Sequence, residues 1–253
     1  MGVGIGDYNL DGHLDIFKTH FAYDANILYR NDGKGNFEDE TRPSRLAVET
    51  RFVCWGAGIV DLDNDGNPDL FMVTGHVYPE GRKFPQYPSK TARAVFRNLG
   101  QGVFEELIEA AAGIAAPQCS RGCAFGDFDN DGDIDVLVIN LNEPPSLLRN
   151  DLTGNANWIK IKLEGVKSNR SAIGARVLVH YEGKVEAQAV LSQSSFFSSN
   201  DARLHYGLGR ASAVDVDVFW PSGLHETFKH IQANQLVTIK ESVGLAPNRG
   251  WSR

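Results

Sequence analysis

Apolar positions along this chain follow two rhythms. Up to about residue 150 they gather into short unbroken runs, "LDIFKTHF", "LFMVTG" and "VLVIN", each entered from a crowded polar stretch. Runs of this length, bounded by turn residues, predict strands that are buried on both faces. Past Asn150 the rhythm becomes plain alternation. Ile159, Ile161 and Leu163 alternate with Lys160, Lys162 and Glu164, and Val214, Val216 and Val218 alternate with Asp215 and Asp217. Val185, Ala187, Ala189 and Leu191 line one face of a further strand. Glu182-Gly183 predicts a tight hairpin and Pro221-Ser222-Gly223 a turn. The whole chain therefore reads as all-β, with a change of character near residue 155 and a structureless tail over 244–253.

The first part is a repeat. Asp7-Tyr-Asn9-Leu-Asp11-Gly12-His13-Leu-Asp15 matches Asp61-Leu-Asp63-Asn-Asp65-Gly66-Asn67-Pro-Asp69, and both match Asp127-Phe-Asp129-Asn-Asp131-Gly132-Asp133-Ile-Asp135. "GVGIGD", "GAGIVD" and "GCAFGD" stand upstream; "LYRNDGKGNF", "VFRNLGQGVF" and "LLRNDLTGNA" follow the apolar runs. From the last aspartate of each loop to the asparagine of that third element is 16, 29 and 15 residues. The second copy thus carries an insertion, His76 to Lys90, rich in proline, aromatic and basic residues. Each copy reads as strand, charged loop, buried strand, turn, strand, the pattern of a β-propeller blade. This predicts a partial propeller of three blades over 1–154 and a smaller all-β module over 155–243.

Charge sharpens the picture. The net charge is −7, yet residues 1–150 carry 23 acidic and 13 basic side chains while the remainder carries 9 and 12. Twelve of those 23 acids lie in the three loops. Without them the first part is slightly basic. Such concentrated negative sites argue against nucleic acid as partner and for bound cations.

The spacing D-x-[DN]-x-D-G-x-x-D brings alternate side chains onto one centre, with a glycine for the sharp turn. Hard carboxylate oxygens in this number suit Ca²⁺. The expected ligands are Asp7, Asn9, Asp11, Asp15 and the carbonyl of His13; Asp61, Asp63, Asp65, Asp69 and the carbonyl of Asn67; and Asp127, Asp129, Asp131, Asp135 and the carbonyl of Asp133. An EF-hand is excluded, because position twelve holds Lys18, Met72 and Val138 instead of glutamate. Metal-free Asx turns are the remaining alternative for any single copy, but three copies in register favour about three calcium sites.

These loops resemble FG-GAP/VCBS blades, as in integrin α-subunit propellers. "SNRSAIGARV", "SQSSFFSSNDARLHYGLG" and "VFWPSG" resemble the ASPIC/UnbV domain. Residues 1–243 are similar to the C-terminal half of cartilage-acidic-protein-like proteins. The resemblance implies a β-sandwich-like second domain and an extracellular or cell-envelope protein that binds calcium and a protein or glycan ligand.

No catalytic motif is visible: there is no GxSxG, Walker loop, HExxH or GxGxxG opening a helix. The expectation is a calcium-stabilised interaction or adhesion module without enzymatic activity; the alternative is a glycan-active hydrolase or lyase using carboxylates near the propeller axis. His76 reads as a strand-end histidine, His205 as packed within the second domain, and the serines around Phe196 and Phe197 as a solvated connection with an aromatic anchor. Cys54, Cys119 and Cys123 leave at least one thiol unpaired. No membrane-spanning run and no signal peptide are visible. Three blades fall short of the four or more of a closed ring, so missing upstream blades or self-association are expected.

Overall fold

The computed structural model describes residues 1–48, 50–77, 88–107 and 112–246. The described chain is all-β, with one four-residue helix, α1 (Ala112–Ala115), and five sheets. The first sheet is the meander β1 (Val3–Gly6), β2 (Asp15–Lys18), β3 (Ile27–Asn31) and β4 (Phe37–Asp39). The second repeats it as β5 (Cys54–Val60), β6 (Asp69–Thr74), β7 (Ala94–Asn98) and β8 (Phe104–Glu106). The third is β9 (Ser120–Gly126), β10 (Asp135–Asn140) and β11 (Ser146–Leu148). Each charged loop is the turn between the first two strands of its sheet. Its ends are pinned in the same register three times: Gly6 opposite Asp15, Val60 opposite Asp69, Gly126 opposite Asp135.

The sheets are arranged as in a β-propeller, first strand against first strand. Glycine permits the approach: a Cβ on Gly4 would lie 3.2 Å from the Cα of Gly58, and one on Gly56 would lie 2.9 Å from the carbonyl of Arg121. All of β6 is buried. Leu70 and Met72 pack with Phe17, Leu28, Phe96 and Phe104, while Phe71 and Val73 pack with Phe125, Val136 and Val138 of the third sheet. The run "LFMVT" therefore has no polar face because it has a sheet on either side.

The remaining strands are β12 (Asn157–Glu164), β13 (Arg176–Tyr181), β14 (Lys184–Ala189), β15 (Leu204–Gly209), β16 (Ala213–Phe219), β17 (His225–Gln232), β18 (Gln235–Lys240) and β19 (Gly244–Ala246). They form two four-stranded sheets, β15-β12-β18-β19 and β14-β13-β16-β17, around one core that includes Ile159, Ile161, Val177, Val179, Tyr206, Val216, Val218 and Ile239. Glu182 and Gly183, at φ 46° and 79°, make the expected hairpin between β13 and β14.

The expected division into three blades and a separate second domain differs from this in detail. Asp11 in the first loop bridges to Val185 of β14, so the C-terminal sheets lie on the loops and do not stand apart. The tail also begins later than expected, because Gly244–Ala246 pairs with Thr238–Lys240. Residues 247–253 and most of the His76–Lys90 insertion, 78–87, lie outside the described residues.

Candidate metal centres

The three loops share one hydrogen-bond design. The first aspartate accepts the N–H of the loop glycine through Oδ2: Gly12 to Asp7 at 2.8 Å, Gly66 to Asp61 at 2.7 Å, Gly132 to Asp127 at 2.8 Å. The glycines sit at φ 82°, 80° and 104°, where a side chain would be strained. The last aspartate ties loop to blade. Asp15 accepts from the N–H of Tyr8 and Asn31, Asp69 from Leu62 and Asn98, and Asp135 from Phe128 and Asn150. All six of these first and last aspartates are buried.

Among the described residues, two trios place one carboxylate oxygen each within 4.8 Å of one another: Asp61, Asp63 and Asp65, and Asp127, Asp129 and Asp135. Asp69 and Asp131 lie outside these trios, and the first loop has none, its Asn9 amide bonding instead to Asp11 Oδ2 at 3.0 Å. Of the residues expected to offer carbonyls, His13 turns its ring toward Gly33, Asn67 bonds Asp65 Oδ1 at 2.9 Å, and the Asp133 carboxylate accepts from Asn64 and Leu152.

The donor set fits a hard divalent cation. Asp61 Oδ1 is buried and has no hydrogen-bond partner among the described residues. A bare carboxylate oxygen in that position is costly, and an ion removes the cost. Burial pushes the Asp61 carboxyl well above its ordinary pKa, reinforced by the charges of Asp69, Glu186 and Asp65. Burial likewise raises Asp7 to about 6 and Asp69 to about 7. Groups held this way favour protons unless a cation neutralises them. Arg97, 3.0 Å from Asp63 and 3.6 Å from Asp65, supplies part of that charge at the second loop.

Several residues around the loops carry roles that local reading did not assign. Asn98 Nδ2 donates to the carbonyls of Tyr8 and Pro68 at 2.9 Å each, and Asn150 Nδ2 donates to Leu62 at 2.7 Å. The asparagine at or just past the end of the third strand thus locks the loop of the preceding sheet in the second and third copies, while Asn31 of the first donates to Leu14 in its own loop. Its recurrence in the repeat was the only signal. Lys160, within the alternating strand β12, is buried and ion-paired to Asp127. His205 faces the second loop, not only its own module: its Nε2 is 2.8 Å from Asn64 Oδ1. The Asn64 amide donates to Gly132 and Asp133, so its oxygen accepts, and His205 Nε2 carries the proton.

The serine-rich segment is partly exposed and anchored by an aromatic ring, as expected, but its backbone also pairs with the blades. Ser195 N–H donates to Val3 at 3.1 Å, Ala57 N–H donates to Ser195 Oγ at 2.5 Å, and Phe125 exchanges hydrogen bonds with Asn200 and Asp201. The segment 192–201 therefore pairs with the first strand of all three blades, and Phe196 packs 4.9 Å from the Trp55 ring. Its backbone polarity meets strand edges, which is why serine and asparagine are tolerated there. Beside it, a cavity of about 120 Å³ is bounded by Asp7, Asp61, Asp127, Lys160, Glu186 and His205. The three cysteines are buried and form no disulfide among the described residues. The His76 carbonyl accepts from Arg121 at 3.0 Å, and its ring lies edge-on to Phe21. No described helix is long and apolar enough to cross a membrane.

Comparison with known proteins agrees with this architecture. The FG-GAP-like repeat family matches residues 3–72 and 89–166, and the ASPIC and UnbV family matches residues 165–246. Cartilage acidic protein 1 from Homo sapiens is 25% identical over 232 residues, covering 88% of this chain and 33% of that protein. The Mus musculus protein of that name is 25% identical over 231 residues, covering 88% and 34%. The chain thus spans about a third of the length of the curated relatives it matches. Three sheets in one register, each with the same loop, carry the conclusion that this chain belongs to the FG-GAP-like repeat family, followed by an ASPIC and UnbV domain.

Proposed function

We propose that this chain is a calcium-binding, extracellular interaction module without catalytic activity. Three propeller blades hold calcium in their loops, and a β-sandwich-like domain closes over them. The observation that carries the reading is the convergence of Asp61, Asp63 and Asp65 around a buried, unpartnered Asp61 Oδ1. Asp127, Asp129 and Asp135 offer a second such centre. The first loop, with Asp7, Asn9, Asp11 and Asp15, is the third and weakest. Bound Ca²⁺ would supply charge neutralisation and fix loop geometry; the chain's own groups supply the oxygen cage.

An interaction role is supported by what is exposed beside the inner strands of the blades. The segment 192–201 lies across the first strands of the three blades. Phe197, 87% exposed within that segment, offers an aromatic contact for a protein or glycan ligand. The relatives are named as cartilage proteins, which is consistent with an extracellular setting. Melting the chain in EGTA, Mg²⁺ and Ca²⁺ tests the metal reading. Each native-only site adds about 1.4 kcal/mol at ten times its dissociation constant, so Ca²⁺ should raise Tm by several degrees and Mg²⁺ far less. Superimposable curves would reject it.

A further inference from the structure

The first aspartate of each loop is used from two sides. Its Oδ2, already bonded to the loop glycine, is also the atom that the C-terminal sheets meet. Ala187 N–H of β14 donates to Asp7 Oδ2 at 3.0 Å. Lys160 of β12 pairs with Asp127 Oδ2. Gly207 of β15 lies so close to the second loop that a Cβ there would collide with Asp61 Oδ2 and stand 2.7 Å from the Cα of Asn64.

The grip extends to the loop backbone. Gly209 N–H donates to the carbonyl of Asn64 at 2.9 Å, and Tyr181 Oη and Lys184 Nζ both reach the carbonyl of Gly66 at 3.2 Å. Arg203 donates to Asn130 Oδ1 at 2.6 Å and to the Asp127 carbonyl at 3.1 Å. These contacts recognise one loop conformation. Without a cation that conformation crowds like charges within 4.8 Å in two of the loops, an arrangement that Coulomb repulsion opposes.

We infer that the loops are a calcium-dependent latch for the C-terminal domain: ion binding orders the surface on which β12, β14 and β15 dock, and docking in turn tightens ion binding. The inference rests on the calcium reading above. Linkage makes the coupling reciprocal, so a substitution in the C-terminal domain that touches no ion must weaken the ion's affinity.

Two measurements on the full chain test this. Amide hydrogen exchange in Ca²⁺ and in EGTA should show residues 184–189 and 204–209 exchanging about tenfold faster without the ion. Calorimetric titration with Ca²⁺ should give an affinity about tenfold lower in Gly207→Ala, whose new methyl group collides with the second loop. Lys184→Met, which removes the contacts to Gly66 and Asn67 without a collision, should act in the same direction by a smaller factor and covers the case in which Gly207→Ala fails to fold. Calcium bound with native affinity by the variants, together with exchange that ignores the ion, would overturn the latch and leave the calcium reading standing. No calcium uptake by the native chain would remove both.

Discussion

Leu10 holds φ at 61°, in the left-handed region, at the loop position where the other copies carry Asn64 at 57° and Asn130 at 61°. Asparagine tolerates that conformation and leucine does not, at a cost of about 1 kcal/mol. Leu10→Asn should therefore stabilise the chain by about 0.5–1 kcal/mol, seen as a higher urea midpoint at unchanged slope. Lys160 poses the opposite case. Its ammonium and the Asp127 carboxylate are both buried, and removing one member of such a pair costs about 3–5 kcal/mol. Lys160→Met should lose about that much in EGTA, and less in Ca²⁺, where the ion takes over the neutralisation of Asp127. An equal loss in both conditions would mean that no ion sits beside Asp127.

At the scale of elements, the chain holds its turns with carboxylates that accept backbone N–H groups. Glu241, following β18, accepts from the N–H of Val166, Lys167 and Ser168 and from the hydroxyls of Ser168 and Ser222. Burial pushes its pKa up, but the hydrogen bonds from Ser222, Ser168 and Val166 outweigh burial and bring it down to about 2. A depressed folded-state pKa contributes stability above the ordinary glutamate value of about 4.3 that is lost as pH falls toward 2. Glu241→Gln should thus flatten the acid limb of a stability profile between about pH 4.5 and 2, while an unchanged limb would deny Glu241 that role. The strands, the hairpin at Glu182-Gly183 and the three Asp/Gly loops were legible in the sequence, because their causes are local: periodicity, positive φ and alternate carboxylates. The asparagine ties, the pairing of segment 192–201 with the blades and the Lys160 pair were not, because their partners lie in other sheets. Lys160 in particular alternates like a solvent-facing residue, and only the docking of β12 on the third loop buries it.

At the scale of the whole molecule, the described residues leave one face of the repeat open. Leu137 and Ile139 of β10 occupy the register held in β6 by Phe71 and Val73, yet they are 43% and 52% exposed. The interface formed twice within the chain, first sheet to second and second to third, has no third instance there among the described residues. Ile139→Lys should change stability by less than about 0.5 kcal/mol, whereas Val73→Lys, which would bury an unpaired charge between two sheets, should prevent folding. Matching denaturation curves for the two variants would show that the register assignment is wrong. The three acidic loops lie at the meeting point of blades and C-terminal sheets, and the proposed calcium ions would balance their charge there. The most direct measurement is a calorimetric titration of the chelator-stripped full chain with CaCl₂, run alongside Asp61→Asn. The account predicts saturable uptake of at least two calcium ions per chain, with one fewer in the variant; a native chain that takes up none at millimolar calcium would contradict it.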